Sequence, residues 1–296
     1  MHSLVSLPLG RPRRRHHTDG AGNVSGLKSP IQYFGAKQQI ADQIVALMPA
    51  HRGYIEPYAG SLSVLLAKEP SKIEIVNDLD ERLMTFWRVL RERPGELLHL
   101  ADLTPHSRAE LERAAALKDA DELELARQVW VLLTQGRSRT MKRTGWRFYA
   151  DPNGTNASFQ TYMDAYRTRL LPAAERLRAV SLECRPALEV IEQYGAFADN
   201  LLYVDPPYVH SSRRGARYSH EMTDDDHRAM AATLRECQAT VMLSGYASSL
   251  YDELFSDWHQ VQIGARSDNA VKRDVIEVVW MNRAPGAFLW VDEVTA

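Results

Sequence analysis

Short apolar segments alternate with amphipathic segments in two parts of this chain, and this alternation constrains the fold more than any other feature. Helical spacing of apolar residues is clear in DERLMTFWRVLRER at 80–93, which Pro94 and Gly95 close. Strands are predicted at residues 53–60, 72–78, 181–185, 201–204 and 239–245. Alternating strands and helices predict a parallel sheet built from βαβ units, so we expect an α/β fold. Segments 258–265 and 273–282 predict a closing antiparallel pair.

A long helical stretch separates the two alternating parts. We therefore predict an α/β domain formed by residues 28–94 and 180–296, with a helical insertion at residues 95–179. Residues 1–27 contain RPRRRHH followed by small residues, and predict a disordered basic extension. A non-specific phosphate-binding arm is the alternative interpretation of this extension.

Composition is that of an ordinary globular protein: 45% of the 296 residues are hydrophobic and 25% are charged. No apolar run reaches about 18 residues, so we expect no membrane span. The net charge of −2 means that any nucleic acid must be bound by local positive charge. Only two cysteines occur, Cys184 and Cys237, and neither has the spacing of a metal site, so we expect a reduced cytoplasmic setting.

Acidic residues end three of the predicted strands: Glu56, Asp78 and Asp205. Ligands of open parallel sheets bind beyond the carboxyl ends of the strands, so these acids should share one rim. Gly60 lies at a tight turn before a helix, and Asp78 follows it by 18 residues, where an acid can accept from ribose hydroxyls. A single glycine is a poor pyrophosphate cradle, which favours a nucleoside without phosphates, such as S-adenosylmethionine. The alternative is that Gly60 forms only a turn and Asp78 only caps a helix.

The segment LLYVDPPY at 201–208 drives an apolar strand into an acid and two prolines. Proline has no N–H, so the sheet cannot continue there and the chain leaves it with a stiff shape and free carbonyls. Asp205 and the Pro206 carbonyl can accept both hydrogens of a planar amino group, and Tyr208 can stack on the ring that carries it. A rigid turn after a core strand is the structural alternative.

Four segments in order carry a resemblance to a known family: IQYFGAK (31–37), YIEPYAG (54–60), IVND (75–78) and YVDPPY (203–208). Together they resemble the Dam-type adenine-specific DNA methyltransferases, over roughly residues 29–282. The resemblance implies a Rossmann-like S-adenosylmethionine-dependent methyltransferase sheet and methyl transfer to the 6-amino group of adenine in DNA. It also implies that the helical insertion is the DNA target-recognition region.

Individual residues are assigned by the same resemblance. The cofactor-binding set is Lys37, Glu56, Tyr58, Gly60 and Asp78, and the catalytic set is Asp205, Pro206, Pro207 and Tyr208. Ala36 stands where the family usually has a second glycine, and Ser61 and Ser63 stand where further glycine is common. The target base must leave the duplex to reach such a pocket.

Two basic segments predict contacts with DNA. In QGRSRTMKRTGWRFYA at 135–150, cations and aromatic residues are interleaved without an acid, and the cations are Arg137, Arg139, Lys142, Arg143 and Arg147. The second segment, 211–220, follows the catalytic motif and carries Arg213, Arg214 and Arg217. Solvated basic loops are the alternative for both, and His210 and His220 lack the spacing of a metal site.

Three functions remain open at this point. The first is methylation of adenine in double-stranded DNA by a monomer, since one chain carries a whole site. The second is methylation of another planar amine, in RNA or on cytosine. The third is a catalytically silent DNA-binding relative, which the intact run from Asp205 to Tyr208 disfavours.

Overall fold

The computed structural model describes residues 26–116, 119–142, 145–147, 159–209, 220–268 and 273–285. Seven strands form one sheet in the order β3-β2-β1-β4-β5-β7-β6. They are β1 (Gly53–Glu56), β2 (Ile73–Asn77), β3 (Ser181–Glu183), β4 (Asn200–Val204), β5 (Thr240–Tyr246), β6 (His259–Asp268) and β7 (Arg273–Met281).

Neighbouring strands from β3 to β5 are parallel, whereas β7 is antiparallel to both β5 and β6. The α/β fold, the parallel sheet and its closing antiparallel pair are therefore confirmed. The chain reverses its direction of travel across the sheet between β1 and β4, and ligands bind at such switch points.

Two helical layers cover the sheet, and the period-two alternation of the strands feeds both. Tyr54 and Tyr203 point into one apolar core, while Ile55 and Leu202 point into the other. The helices that flank the sheet are α1 (Ala41–Ala46), α2 (Ser63–Ala67), α3 (Glu81–Glu92), α9 (Ala187–Gly195), α10 (Asp224–Arg235) and α11 (Ser249–Leu254). Because both faces are buried, these strands have near-continuous apolar sequences.

The segment between β2 and β3 adds further helices, as predicted from its spacing. These are α4 (Pro94–Leu103), α5 (Arg108–Ala116), α6 (Glu122–Gln135), α7 (Phe159–Arg167) and α8 (Leu170–Leu177). A buried ion cluster ties α8 to the sheet: Arg176 donates to both Glu74 oxygens, at 2.5 and 2.7 Å, and Lys68 lies 2.6 Å from the same carboxylate. The division into domains stays a prediction, and most of its extension, residues 1–25, lies outside the described residues.

Element ends differ from the sequence predictions where the backbone turns early. The strand predicted at 53–60 ends at Glu56, because Pro57 cannot donate to the sheet. The helix predicted at 61–69 starts only at Ser63, because Leu62 has a left-handed backbone with φ of 52°. The helix predicted at 38–49 forms only over Ala41–Ala46. Within the described part of the chain, every helix is too short or too polar to cross a membrane.

Candidate active site

The carboxyl ends of β1, β2 and β4 border one cavity of about 280 Å³. Glu56, Asp78 and Asp205 all line it, so the three acids predicted to share a rim do so. Lys37, Tyr58 and Gly60 line it as well, and so does Pro207. The fold thus brings together residues that are up to 170 positions apart in the sequence.

A tight turn after β1 shapes one wall of the cavity. Gly60 has a left-handed backbone, with φ of +48°, which a residue without a Cβ adopts readily. Its N–H donates to Asp78 Oδ2 at 3.0 Å, and its carbonyl accepts from Trp87 Nε1 at 3.1 Å. The turn is therefore held from β2 on one side and from α3 on the other.

Asp78 is fixed by backbone donors. Besides Gly60, the N–H of Asp80 donates to Asp78 Oδ1 at 3.0 Å. Burial raises the pKa of Asp78 above its ordinary value, and the two backbone hydrogen bonds oppose this by favouring the carboxylate. Each oxygen keeps a second lone pair, so the carboxylate can still accept from a ligand hydroxyl.

Glu56 is almost completely buried at the end of β1. Its Oε2 has no hydrogen-bond partner among the described residues. Burial raises the pKa of Glu56 well above its ordinary value, and the nearby Asp205 carboxylate adds to the shift. A buried carboxyl oxygen without a donor is costly, which makes Oε2 a natural acceptor for a bound ligand.

Lys37 joins the N-terminal motif to the catalytic motif. Its Nζ lies 2.5 Å from Asp205 Oδ1, 2.6 Å from the Tyr208 hydroxyl and 3.1 Å from the Gly35 carbonyl. Only 2% of the Lys37 side chain is exposed, against 18% for Asp205. The lysine therefore binds Asp205 directly in the wall of the cavity.

Two partners of this cluster, Ser244 and Glu277, were missed by sequence reasoning. Ser244, near the end of β5, donates to Asp205 Oδ1 at 3.1 Å and hydrogen-bonds the Tyr203 hydroxyl at 2.9 Å. Glu277 on β7 lies 3.4 Å from Lys37 Nζ. The signal for Glu277 was present in the sequence, because it is an acid within the otherwise apolar run VIEVVWM.

Aromatic side chains close the rest of the cavity. Tyr58 lines it, and the Tyr58 hydroxyl lies 3.6 Å from Met230 Sδ. Burial raises the pKa of Tyr58 above its ordinary value. Tyr208 is not among the lining residues: only 4% of its surface is exposed, and its ring centroid lies 4.3 Å from that of Tyr246. Other apolar lining residues are Tyr33, Phe34, Leu79, Pro186 and Leu188.

The predicted DNA-binding cations occupy different environments. Arg137, Arg139 and Lys142 are exposed, beside the antiparallel bridge between Gly136 and Trp146. Arg147 is partly buried instead: its guanidinium donates to the Tyr162 hydroxyl and, at 2.8 Å, to Gln32 Oε1. The remaining predicted cations lie outside the described residues: Arg143, Arg213, Arg214 and Arg217.

No cluster of three or more His, Cys, Asp or Glu side chains suited to a metal ion occurs within the residues described above. The chemistry on offer is instead that of buried carboxyls, one ammonium and an aromatic wall. Such a cavity suits a planar ligand with hydroxyl and amino groups.

Comparisons with known proteins show the family of this chain. The family described as D12 class N6 adenine-specific DNA methyltransferase matches residues 33–269. The Type II methyltransferase M1.LlaDCHI of Lactococcus lactis subsp. cremoris is 22% identical over 274 residues, covering 84% of this chain and 92% of that protein. A solved SAM-dependent methyltransferase from Agrobacterium tumefaciens aligns with 83% of this chain but only 61% of its own, at 10% identity; its TM-score of 0.34 is too low to carry an argument. Because the family match spans most of the sequence, this chain belongs to the D12 class N6 adenine-specific DNA methyltransferase family.

Proposed function

We propose that Asp205 and the Pro206 carbonyl hold the 6-amino group of adenine while the chain carries out its family's reaction. That reaction is the methylation of adenine in DNA with S-adenosylmethionine as cofactor. The observation that supports the proposal is that the described protein donors bind only one of the two oxygens of Asp205.

One oxygen of Asp205 is used by the protein. Oδ1 accepts from Lys37 at 2.5 Å and from Ser244 at 3.1 Å, whereas no described protein donor reaches Oδ2. The carboxylate is therefore held in place through one oxygen, and the other is left for a ligand in the cavity that Asp205 lines.

The amino group of adenine is a poor nucleophile, because its lone pair is delocalised into the ring. Accepting hydrogen bonds from its two hydrogens returns electron density to the nitrogen. The same acceptors stabilise the positive charge that develops on that nitrogen during attack. We assign these roles to Asp205 Oδ2 and the Pro206 carbonyl, which a fixed Asp205 positions without needing a strong general base.

The cavity fits the cofactor. When bound, S-adenosylmethionine supplies an electrophilic methyl group on a sulfonium. Asp78 would accept from ribose hydroxyls, and the unsatisfied Oε2 of Glu56 would accept from a donor group of the cofactor. The apolar wall that contains Tyr33 and Leu79 suits a planar ring. Tyr58 and Gly60 complete the proposed cofactor site.

Burial of Asp205 supports base flipping. With 18% of the side chain exposed, Asp205 lies too deep to reach an amine inside a stacked duplex. We propose that the base enters against the Tyr208 and Tyr246 pair, where Tyr246 is the more exposed ring. The base predicted to stack on Tyr208 would then meet a ring whose hydroxyl is already hydrogen-bonded to Lys37.

DNA would lie across the insertion that carries Arg137, Arg139 and Lys142. Exposed cations suit the phosphates of double-stranded DNA, and phosphate contacts set position rather than sequence. We propose a monomer, since the cofactor and amine sites share one cavity of one chain. We also propose a cytoplasmic setting, because the proposed substrate is DNA and because Cys184 and Cys237 are both free thiols.

The test is transfer of labelled methyl from S-adenosylmethionine to unmethylated DNA, with Asp205→Ala beside the parent chain. We expect label in adenine, and a loss of about 10²- to 10³-fold in kcat for the variant with little change in DNA binding. Asp199→Ala is the matched control, because this exposed acid precedes β4 at the opposite end of the same strand. Methyl transfer by Asp205→Ala at the parental rate would refute the assignment. Label in RNA alone would identify RNA, and not DNA, as the substrate.

A further inference from the structure

Glu277 is a buried acid that none of the motifs contains. It lies on β7 opposite Tyr246 of β5, and its side chain is fully buried. Its neighbours along the strand are apolar, so the position would ordinarily hold another apolar residue. Burying a carboxylate is costly unless the carboxylate is paired and hydrogen-bonded. Its partners therefore indicate why it is there.

Two residues of the proposed active site, Tyr208 and Lys37, contact Glu277. The Tyr208 hydroxyl lies 3.2 and 3.3 Å from its two oxygens, and Lys37 Nζ lies 3.4 Å from Oε1. The same ammonium lies 2.5 Å from Asp205 Oδ1. One cation is thus shared by two carboxylates, one at the cavity and one behind it.

This arrangement fixes the position of Asp205. Glu277 contacts the same ammonium that binds Asp205 Oδ1, and so helps to hold Lys37 in place. An acceptor fixed in this way can stabilise the positive charge that develops on an attacking amine.

We propose that Glu277 is a positioning residue for methyl transfer, acting through Lys37 and the Tyr208 hydroxyl on Asp205. The inference rests on the proposed function, since it concerns the oxygen that receives the amine. A carboxylate with only a structural role would affect folding stability and leave turnover of the folded protein unchanged.

The experiment compares Glu277→Gln with the parent chain in kcat, in S-adenosylmethionine binding and in DNA binding. We expect kcat to fall by about 10- to 100-fold, as a small misplacement of a reacting group does, while both binding constants stay within about twofold. Glu74→Gln is the matched control. Glu74 is also a buried strand acid paired with a lysine, at 2.6 Å, but it does not line the cavity. We expect Glu74→Gln to lower the melting temperature and to keep the parental kcat.

A second measurement tests whether Glu277 acts through Lys37. Lys37→Met removes the shared cation and leaves two carboxylates close together, so its melting temperature should fall. Adding Glu277→Gln should then recover part of that loss, whereas independent residues would give additive losses. If Glu277→Gln yields no folded protein, Glu277→Asp keeps the charge but shortens its reach, and the same fall in kcat is expected.

The outcomes separate this inference from the proposed function. A parent chain that transfers no methyl refutes the proposed function. A parent chain that is active, beside folded Glu277 variants with the parental kcat, refutes only the positioning role. Equal falls in kcat for Glu277→Gln and Glu74→Gln would also refute it, because the effect would then be a general one of losing a buried charge.

Discussion

Two acids of the cavity have opposite environments at the scale of single residues. Asp205 is held by the ammonium of Lys37 at 2.5 Å and by the hydroxyl of Ser244 at 3.1 Å. Glu56 is buried with one unsatisfied oxygen, and burial raises its pKa well above the ordinary 4.5. Neighbouring carboxyls with different environments can therefore take different roles in binding a ligand.

Glu56 makes stability depend on pH in a defined direction. Because the pKa of Glu56 is higher in the folded protein than in the unfolded chain, the folded state binds the proton more tightly. The free energy of unfolding should therefore fall as the pH rises from the ordinary value of 4.5 towards the raised pKa. We expect Glu56→Gln to melt at a temperature that changes less than that of the parent chain between about pH 5 and 8.

Glu69→Gln serves as the control for this measurement, because the Glu69 side chain is exposed in the segment that follows α2. Its melting profile should follow that of the parent chain. Parallel profiles for all three proteins would show that Glu56 does not titrate with a raised pKa.

Among the helices, α3 holds the turn at Gly60 that borders the proposed cofactor site. Asp80 caps its first turn by accepting from the N–H groups of Arg82 and Leu83, at 3.1 and 3.4 Å. One turn further on, Trp87 donates to the carbonyl of Gly60. The cap therefore fixes the helix, and the helix fixes the turn that borders the cavity.

We expect Asp80→Ala to lower the free energy of unfolding by about 1 kcal/mol and to weaken S-adenosylmethionine binding. Asp121→Ala is a matched control, because Asp121 caps α6 by accepting from the N–H of Glu124 at 2.8 Å. It should lower stability by a similar amount without changing cofactor affinity. Calorimetric titration and thermal melting of both variants provide the measurement, and equal cofactor affinities would contradict the link through α3.

The insertion and the N-terminal motif are connected at the scale of the whole molecule. Arg147 donates to Gln32 Oε1, and Gln32 in turn donates to the Tyr166 hydroxyl on α7. Gln32 belongs to the same segment as Lys37, whose ammonium binds Asp205. The surface proposed for DNA and the loop proposed for catalysis therefore share one hydrogen-bonded junction.

The cations of the insertion differ in exposure: Arg137, Arg139 and Lys142 are exposed, whereas Arg147 is partly buried. We therefore predict different effects when they are replaced. Alanine at Arg137, Arg139 or Lys142 should weaken DNA binding, and each lost phosphate contact should reduce the slope of log K against log salt by about 0.9. Arg147→Ala should leave that slope unchanged and lower the melting temperature instead, because its guanidinium binds protein acceptors. A reduced salt slope for Arg147→Ala would show that it contacts phosphate after all.

Sequence patterns alone predict the class of fold and the family correctly, and they also predict the chemistry of an amine site. These follow from local rules: period-two strands, helical spacing, prolines that end a sheet, and an acid at each strand end. The matching family confirms the resemblance that those motifs carry. The individual roles of the site residues stay predictions.

Which side chains meet depends on the packing of distant segments. Glu277 lies on β7, Ser244 lies on β5 and Asp205 directly follows β4, and no local pattern relates them until the sheet aligns these strands. Arg147 has the same basic character as Arg137 in the sequence, but packing partly buries Arg147 and leaves Arg137 exposed. The cause is the same in both cases. Burial and pairing depend on distances across the chain, and those distances exist only once the sheet and its helices have packed.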